Sequence, residues 1–280
     1  MASSASDCES QVTALLEKTE IIASTPHPLV DLVDPLLSEE KKSETVSFIG
    51  LLQTQLQIEA TKEWELKCLP RPWKMLPQDG EDVILLDAAP KHPFPEAVVP
   101  NPVKIGPRSL FPEVYFSVYA EQEIETVPPT ADITSTLLRD TLVDTINIMD
   151  FNRVAAAKFL IDVDCYFTPD IFVKRATPFD KLRDISSDRP TWKPEDVAVD
   201  AVFSQLFQLP IPEHKLVYYH SLLTECCKVA PAAIAPSLGR AIRFLYRNVE
   251  RTDVDMTHRF LDWFAHHLSN FGFTWKWTEW

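Results

Sequence analysis

Several sets of side chains have types and spacings that could do chemistry. His258, Asp262 and His266 step by four residues and would line one face of a helix, where they could offer ligands to a metal. Three ligands spread over two turns diverge too far for one ion unless the helix bends, and no His-Glu-x-x-His motif accompanies them. A solvated polar face explains them with no further assumption. His220 and Cys227, seven apart, share a face and suit a Cys–His nucleophile pair. Leu216 and Leu223 lie on that same face, so both read more simply as core. Nothing positive near the adjacent Cys226 and Cys227 would lower a thiol pKa. Neither a carboxylate pair nor a Ser/His/Asp set does better, so the reading is a non-enzyme with no metal and no cofactor.

Two further sets suit binding. Arg240, Arg243, Arg247 and Arg251 step by three, four and four, which at about 100° per residue makes one basic ridge. Leu238, Ile242, Leu245 and Val249 fall on the other side, and Phe244 is expected on the exposed face among the arginines. Two accounts stand. Asp253, Asp255 and Asp262 of the next helix could pair with the ridge across the hairpin, each such pair worth about 0–1 kcal/mol. Alternatively the ridge docks RNA phosphates or an acidic protein segment. Trp275, Trp277 and Trp280 alternate with polar residues, and in an extended segment the first two would share a face. Stacked rings of this kind can hold a flat cationic base. The acids needed to read such a base are missing apart from Glu279, so the expectation is packing against further helix or a partner.

The elements that must position these residues are helical. Val254 to Trp280, VDMTHRFLDWFAHHLSNFGFTWKWTEW, repeats Phe260, Trp263, Phe264, Leu268 and Phe271 at helical steps. Upstream, Pro194-Glu195-Asp196 makes a good first turn, with proline preorganising φ and acids facing the helix dipole. That helix carries Val199, Val202, Phe203 and Leu206 and stops at Pro210-Ile211-Pro212. The next is expected over Glu213 to Val229, closed by Pro231, and another over Ser237 to Asn248. Before Pro194, a helix starting at Pro128-Pro129-Thr130 carries Leu138, Leu142, Ile146 and Met149. Another runs from Asn152 to about Asp164, and a broken stretch covers 168–193. Amphipathic helices with short proline-marked joints predict an all-α fold, an α-α superhelix of antiparallel hairpins.

The first half differs. Residues 67–130 hold twelve of the 23 prolines, which forbids helix and predicts an extended proline-rich connector, ordered as a strap. Near its end Val114, Phe116 and Val118 alternate with Tyr115, Ser117 and Tyr119. Before it, 1–66 forms a short helical N-terminal segment: apolar clusters at Val12-Leu15-Leu16 and Leu29-Leu32-Val33-Leu36, then a helix with Phe48, Leu52 and Leu56. The third unit is 131–280, a helical-repeat domain expected to be incomplete at its C-terminus.

Composition narrows the class. The chain has 280 residues, 45% hydrophobic and 24% charged, and no apolar run nears the ~20 residues that cross a bilayer. Its start, MASSASDCES, lacks the pattern of a signal peptide. The five scattered cysteines fit a reducing compartment better than a disulfide scaffold. A net charge of −14 argues against a general nucleic-acid binder, although 131–280 is nearly balanced, with 20 acids and 17 bases. The five glycines are too scattered for a phosphate loop.

FLDWFAHHLSNFGFTWKWTEW, together with AVFSQLFQLPIP at Ala201 to Pro212, closely resembles the middle region of the large subunits of nuclear cap-binding complexes. That family is built from helical-hairpin repeats like the middle domain of eukaryotic translation initiation factor 4G. The resemblance is strong over 194–280 and fainter back to about Phe48. It includes the proline-rich connector, where Pro112, Val114 and Phe116 match, and it implies that 280 residues are a fragment. It further implies a scaffold supporting a small cap-binding subunit, an RRM protein, and through it capped RNA and mRNA-processing proteins. Splicing, export and decay are implied as well, with a nuclear location and shuttling to the cytoplasm left open. The other reading is a translation-factor-type adaptor for an RNA helicase or another protein, without a cap connection.

Overall fold

The computed structural model describes residues 9–24, 48–70, 116–119, 122–186 and 188–279. Among these there is no strand. The helices are α1 (Glu9–Ala23), α2 (Phe48–Thr61), α3 (Ile133–Ile148), α4 (Arg153–Ile161), α5 (Pro194–Leu206), α6 (Leu216–Val229), α7 (Pro231–Asn248) and α8 (Val254–Asn270). Short 3-10 turns fill the joints, including Phe179–Asp184 in the broken stretch and Trp277–Glu279 after α8. The second N-terminal apolar cluster (Leu29 to Leu36), the connector from 71 to 115 and Trp280 lie outside the described residues.

From α3 onward the packing is that of an α-α superhelix. Helices α3, α5 and α7 pack in sequence as one layer, and α4, α6 and α8 as a second. Consecutive helices from α3 to α7 also touch, so α3–α4 and α5–α6 are hairpins. At the N-terminal end α1 packs on α2, and α2 packs on α3. Gln55 makes the latter junction specific. It is buried, donates to the Thr130 and Asp132 carbonyls (2.5 and 3.3 Å) and accepts from Thr136 Oγ1 at 2.6 Å. After α2, Thr168 binds back to the Lys67 and Cys68 carbonyls, at 2.8 and 2.9 Å.

Three helix starts differ from the sequence expectation, and one of them is α6, which begins at Leu216 rather than Glu213. Asp132, not Pro128 to Thr130, opens α3, because its side chain accepts from the Thr134 amide and satisfies an end donor. Helix α7 begins at Pro231, not Ser237, and carries Pro236 inside it. Pro231 sits where no amide is needed, and Pro236 forfeits one backbone bond near the start of an 18-residue helix otherwise held by packing. The segment 116–119 also departs from alternation. Ser117, Val118 and Tyr119 are all buried, since the strap runs across the α3–α5–α7 layer and is covered on both sides.

The core is tied together by rings. Phe116 of the strap meets Phe207 edge-on at 5.1 Å, Phe207 stacks on Phe203 at 5.8 Å, and Phe203 meets the fully buried Trp263 at 4.8 Å. Such pairs add about 0.5–1.5 kcal/mol each beyond their burial.

Through the centre runs α5, buried along almost its whole length, with three carboxylates aboard. Asp200 accepts from the Val118 amide at 2.8 Å and from Arg139 of α3 at 3.1 Å. Burial pushes its carboxyl above the usual range, and the Arg139 charge opposes that shift. Asp196 is held by Ser237 and Arg240 of α7. Glu195 pairs with Lys193 at 2.9 Å, both nearly inaccessible. Removing one partner of a buried pair strands the other charge and costs about 3–5 kcal/mol. Asp200→Ala is therefore expected to lose about 3–5 kcal/mol in denaturant unfolding, whereas exposed Asp262→Ala should stay within about 0.5 kcal/mol.

Between α6 and α8 lie three histidines. His220 sits 5.4 Å from His266, and His267 lies 5.5 Å from Trp263 and 4.8 Å from Phe271. Burial, aided by the His266 charge, brings His220 and His267 down to about 4, although Asp262 pulls His220 the other way. Burial and Lys228 also lower His266. The unfolded chain protonates His220 and His267 near pH 6.5 and the folded chain only near 4. Stability is thus fully present above about 6.5 and lost as pH falls toward 4. The melting temperature should drop across that window, and His220→Asn with His267→Asn should flatten the drop relative to the parent chain.

Candidate partner-binding face

The four arginines of the expected ridge are divided by the fold. Arg240 is drawn inward by Asp196, lies over the Phe179 and Tyr119 rings at 5.1 and 5.6 Å, and donates to Gln122 at 3.1 Å. Its carboxylate partner is thus on α5, not among Asp253, Asp255 and Asp262, which one of the two accounts had offered. The reason is layer order: α7 packs directly on α5. Arg243 folds over the Trp275 ring at 5.4 Å and donates to the Gly239 carbonyl at 2.9 Å. Phe244 is not on the exposed face; it is half-buried and packed on the core. Arg247 and Arg251 are exposed. The basic surface is accordingly smaller than the spacing implied, and it sits at the end of α7.

The tryptophans divide similarly. Trp275 is half-buried, edge-on to Phe264 at 5.7 Å and beneath Arg243. Trp277 is about half exposed and begins a 3-10 turn, so the extended run that would align the two indoles on one face does not form. The chain turns at Gly272 and Phe273, both with positive φ, and the Phe273 amide donates to the Leu268 carbonyl. Gly272 tolerates that backbone because it has no Cβ. Arg243 meets Trp275, Arg247 and Arg251 continue along α7 and the turn after it, and Trp277 follows in the chain after α8, with exposed Phe273 nearby in sequence.

The metal pattern is dispersed by the fold, while His220 and Cys227 are both buried on α6. His258 and Asp262 face outward, while His266 turns toward His220. Among the described residues no three His, Cys, Asp or Glu side chains converge on one point. Cys226 is buried and pushed up to about 12, and burial also raises Cys227, the opposite of an activated thiol. No described helix is long and apolar enough to cross a membrane.

Sequence reasoning missed Arg259. It is buried in α8 and donates to the Leu206, Gln208 and Pro210 carbonyls at 3.1, 2.8 and 2.9 Å, with Asp255 at 2.5 Å. These carbonyls lie at and just past the end of α5, where the backbone acceptors of a helix lack partners. The only available signal was an arginine one place before Phe260 in an apolar run.

Comparison with known proteins places this architecture. The family described as MIF4G like matches residues 128–280, the span from just before α3 to the end of the chain. Nuclear cap-binding protein subunit 1 of Schizosaccharomyces pombe is 35% identical over 267 residues, 95% of this chain and 33% of that protein. The nuclear cap-binding protein complex subunit 1 of Saccharomyces cerevisiae is 34% identical over 175 residues, 60% of this chain and 20% of that protein. The human nuclear cap-binding protein subunit 1 is 43% identical over 82 residues, 29% of this chain and 10% of that protein. The chain therefore spans about a third or less of the length of these relatives. With over half of its residues matched, including all of α3 to α8, the chain belongs to the MIF4G-like family.

Proposed function

We propose that this chain acts as a non-catalytic helical scaffold in a nuclear RNA cap-binding complex. It would support a small RRM subunit that holds the cap and would link capped RNA to processing, export and decay. The observation that carries this reading is the 35% identity to a nuclear cap-binding protein subunit 1 along 95% of the chain. The ring geometry agrees with a supporting role. Trp263 is enclosed in the core and Trp275 is covered by Arg243 and Phe264, so neither of these indoles offers an open face to a flat base. Arg247, Arg251 and Trp277 are the proposed partner contacts of the C-terminal end, together with Arg243 over Trp275. Trp280 belongs to the same run but lies outside the described residues. A nuclear location with shuttling follows from the same reading. An adaptor for an RNA helicase, without a cap connection, is the second reading and is favoured by the MIF4G-like match taken alone.

The chain by itself should give no saturable tryptophan quenching with methylated guanine cap analogue. It should be retained on a cap-analogue resin only when the small RRM subunit is added. Retention without that subunit, or quenching that the unmethylated analogue fails to reproduce, would overturn the scaffold reading. Retention in neither case, with capture by an immobilised DEAD-box helicase, would favour the adaptor.

A further inference from the structure

Arg247 and Arg251 reach solvent where α7 ends, and the joint that leads from there into α8 reads Glu250-Arg251-Thr252-Asp253-Val254-Asp255. Thr252 has a carboxylate at the first and at the third position after it. An acidophilic Ser/Thr kinase reads the third-position carboxylate with a basic cleft, and the first-position one adds to the attraction. In the 280 residues this double pattern occurs at Thr252 and at Ser6, which lies outside the described residues. Among the described residues Thr141 and Thr177 have the third-position acid, Asp144 and Asp180, without the first.

The fold separates these three threonines. A kinase takes its substrate as extended chain, so that the hydroxyl meets the γ-phosphate in line. Thr141 lies inside α3, with its hydroxyl on the Leu137 carbonyl at 2.7 Å. Thr177 closes a tight turn: its amide and hydroxyl both meet the Lys174 carbonyl, and its own carbonyl takes the Lys193 amine. Thr252 stands in a joint at φ −87° and ψ 148°, and Asp253 continues it at φ −52° and ψ 145°, both extended. Thr252 is half-buried, and its hydroxyl donates to the Asn248 carbonyl at 2.8 Å, a single bond that rotation about χ1 releases. To lengthen the extended stretch, the first turn of α8 opens its Asp253 cap on the Asp255 amide and the Thr257 amide on the Asp253 carbonyl. Arg259 keeps its three carbonyls through that opening and holds α8 in place. The Asp255 side chain, though paired with Arg259, is 57% exposed and can be read.

We propose that Thr252 is a phosphorylation site for an acidophilic Ser/Thr kinase, and that its phosphate switches the charge of the α7–α8 joint. Thr252 Oγ1 bonds to the γ-phosphorus of Mg-ATP, and the bond from that phosphorus to the bridging oxygen breaks. ADP leaves, and the hydroxyl proton goes to the catalytic carboxylate of the kinase. From Arg247 to Asp253 the exposed charges balance, two arginines against Glu250 and Asp253. A phosphate adds about −1.5 to −2 at neutral pH. The joint turns from neutral to anionic, and both guanidiniums gain a competitor for any anionic group of a partner. Release of a partner held by Arg247 and Arg251 rests on the scaffold reading above, whereas the site itself does not.

The probe is casein kinase 2, an acidophilic kinase, acting with Mg-ATP on the 280-residue chain, with phosphate located by peptide mass spectrometry. Most chains should carry phosphate on Thr252. Asp253→Asn with Asp255→Asn should slow that site at least tenfold and leave Ser6, the reference within the same chain, unchanged. On immobilised small RRM subunit, the phosphorylated chain should bind at least tenfold more weakly than the untreated one. Kinase-treated Thr252→Val should bind as tightly as the untreated chain. Phosphate on Ser6 with none on Thr252 would overturn the proposal, as would phosphate on neither while an acidic control peptide is modified in the same tube. Equal binding of the two forms would overturn the switch. Binding of neither form defeats the scaffold reading instead, and Thr252 occupancy then still decides the site.

Discussion

Three carboxylates on one buried helix impose the constraint that the remaining architecture obeys. Glu195, Asp196 and Asp200 occupy the first two turns of α5, where solvent is excluded on nearly every side. An unpaired carboxylate there would be untenable, so Glu195 is met by Lys193 just before the helix and the two aspartates by groups brought from other elements. Arg139 comes from α3, Arg240 and Ser237 from α7, and the Val118 amide from the strap. These partners define the α3–α5–α7 layer and seat the strap across it. Paired charges fix the register, because a shift of one residue would strand at least one of them.

The same demand explains why the arginine ridge loses half its surface role. Once Asp196 is enclosed, a guanidinium from the facing helix is the natural partner, since its planar fork binds a carboxylate while its faces rest on rings. Arg240 does both, against Asp196 and between Phe179 and Tyr119. Arg243 is taken up by Trp275, which shields one face of that indole. What reaches solvent is the end of the ridge, Arg247 and Arg251, together with Trp277. A surface that looks uniform in sequence is therefore graded, structural at its N-terminal end and available at its C-terminal end.

The superhelix also sorts its two kinds of border. Its layers are closed by burial and ring contacts, while its turns are paired by a few side chains such as Tyr218 and Arg259. Turn residues escape the packing demand, so Phe151, Ile211 and Val254 can remain in solvent without disturbing the core. Binding surfaces on repeat proteins arise in this way. The layers set a regular spacing, and the turns carry whatever chemistry the partner needs.

Much of this was fixed locally, and that part was legible. The helix periods of α5, α6 and α8, the stop at Pro210 to Pro212 and the core face of Phe260, Trp263, Phe264 and Leu268 all follow from 3.6-residue spacing and proline stereochemistry. The all-α hairpin stack followed from those elements and their short joints. Helix boundaries were read less well. Asp132 looked like helix interior and Pro231 like a stop, because a cap or a tolerated proline is recognised by the bonds made around it. Tertiary structure alone decided which charges are buried. Periodicity tells that Arg240 and Arg243 share a helix face, but it cannot tell that Asp196, 44 residues away, lies opposite the first. It gave no warning that Arg259 would cap carbonyls about fifty residues upstream, or that Phe244 would pack inward. Pairing between distant elements depends on how layers stack, and that information is carried by no single stretch of the chain.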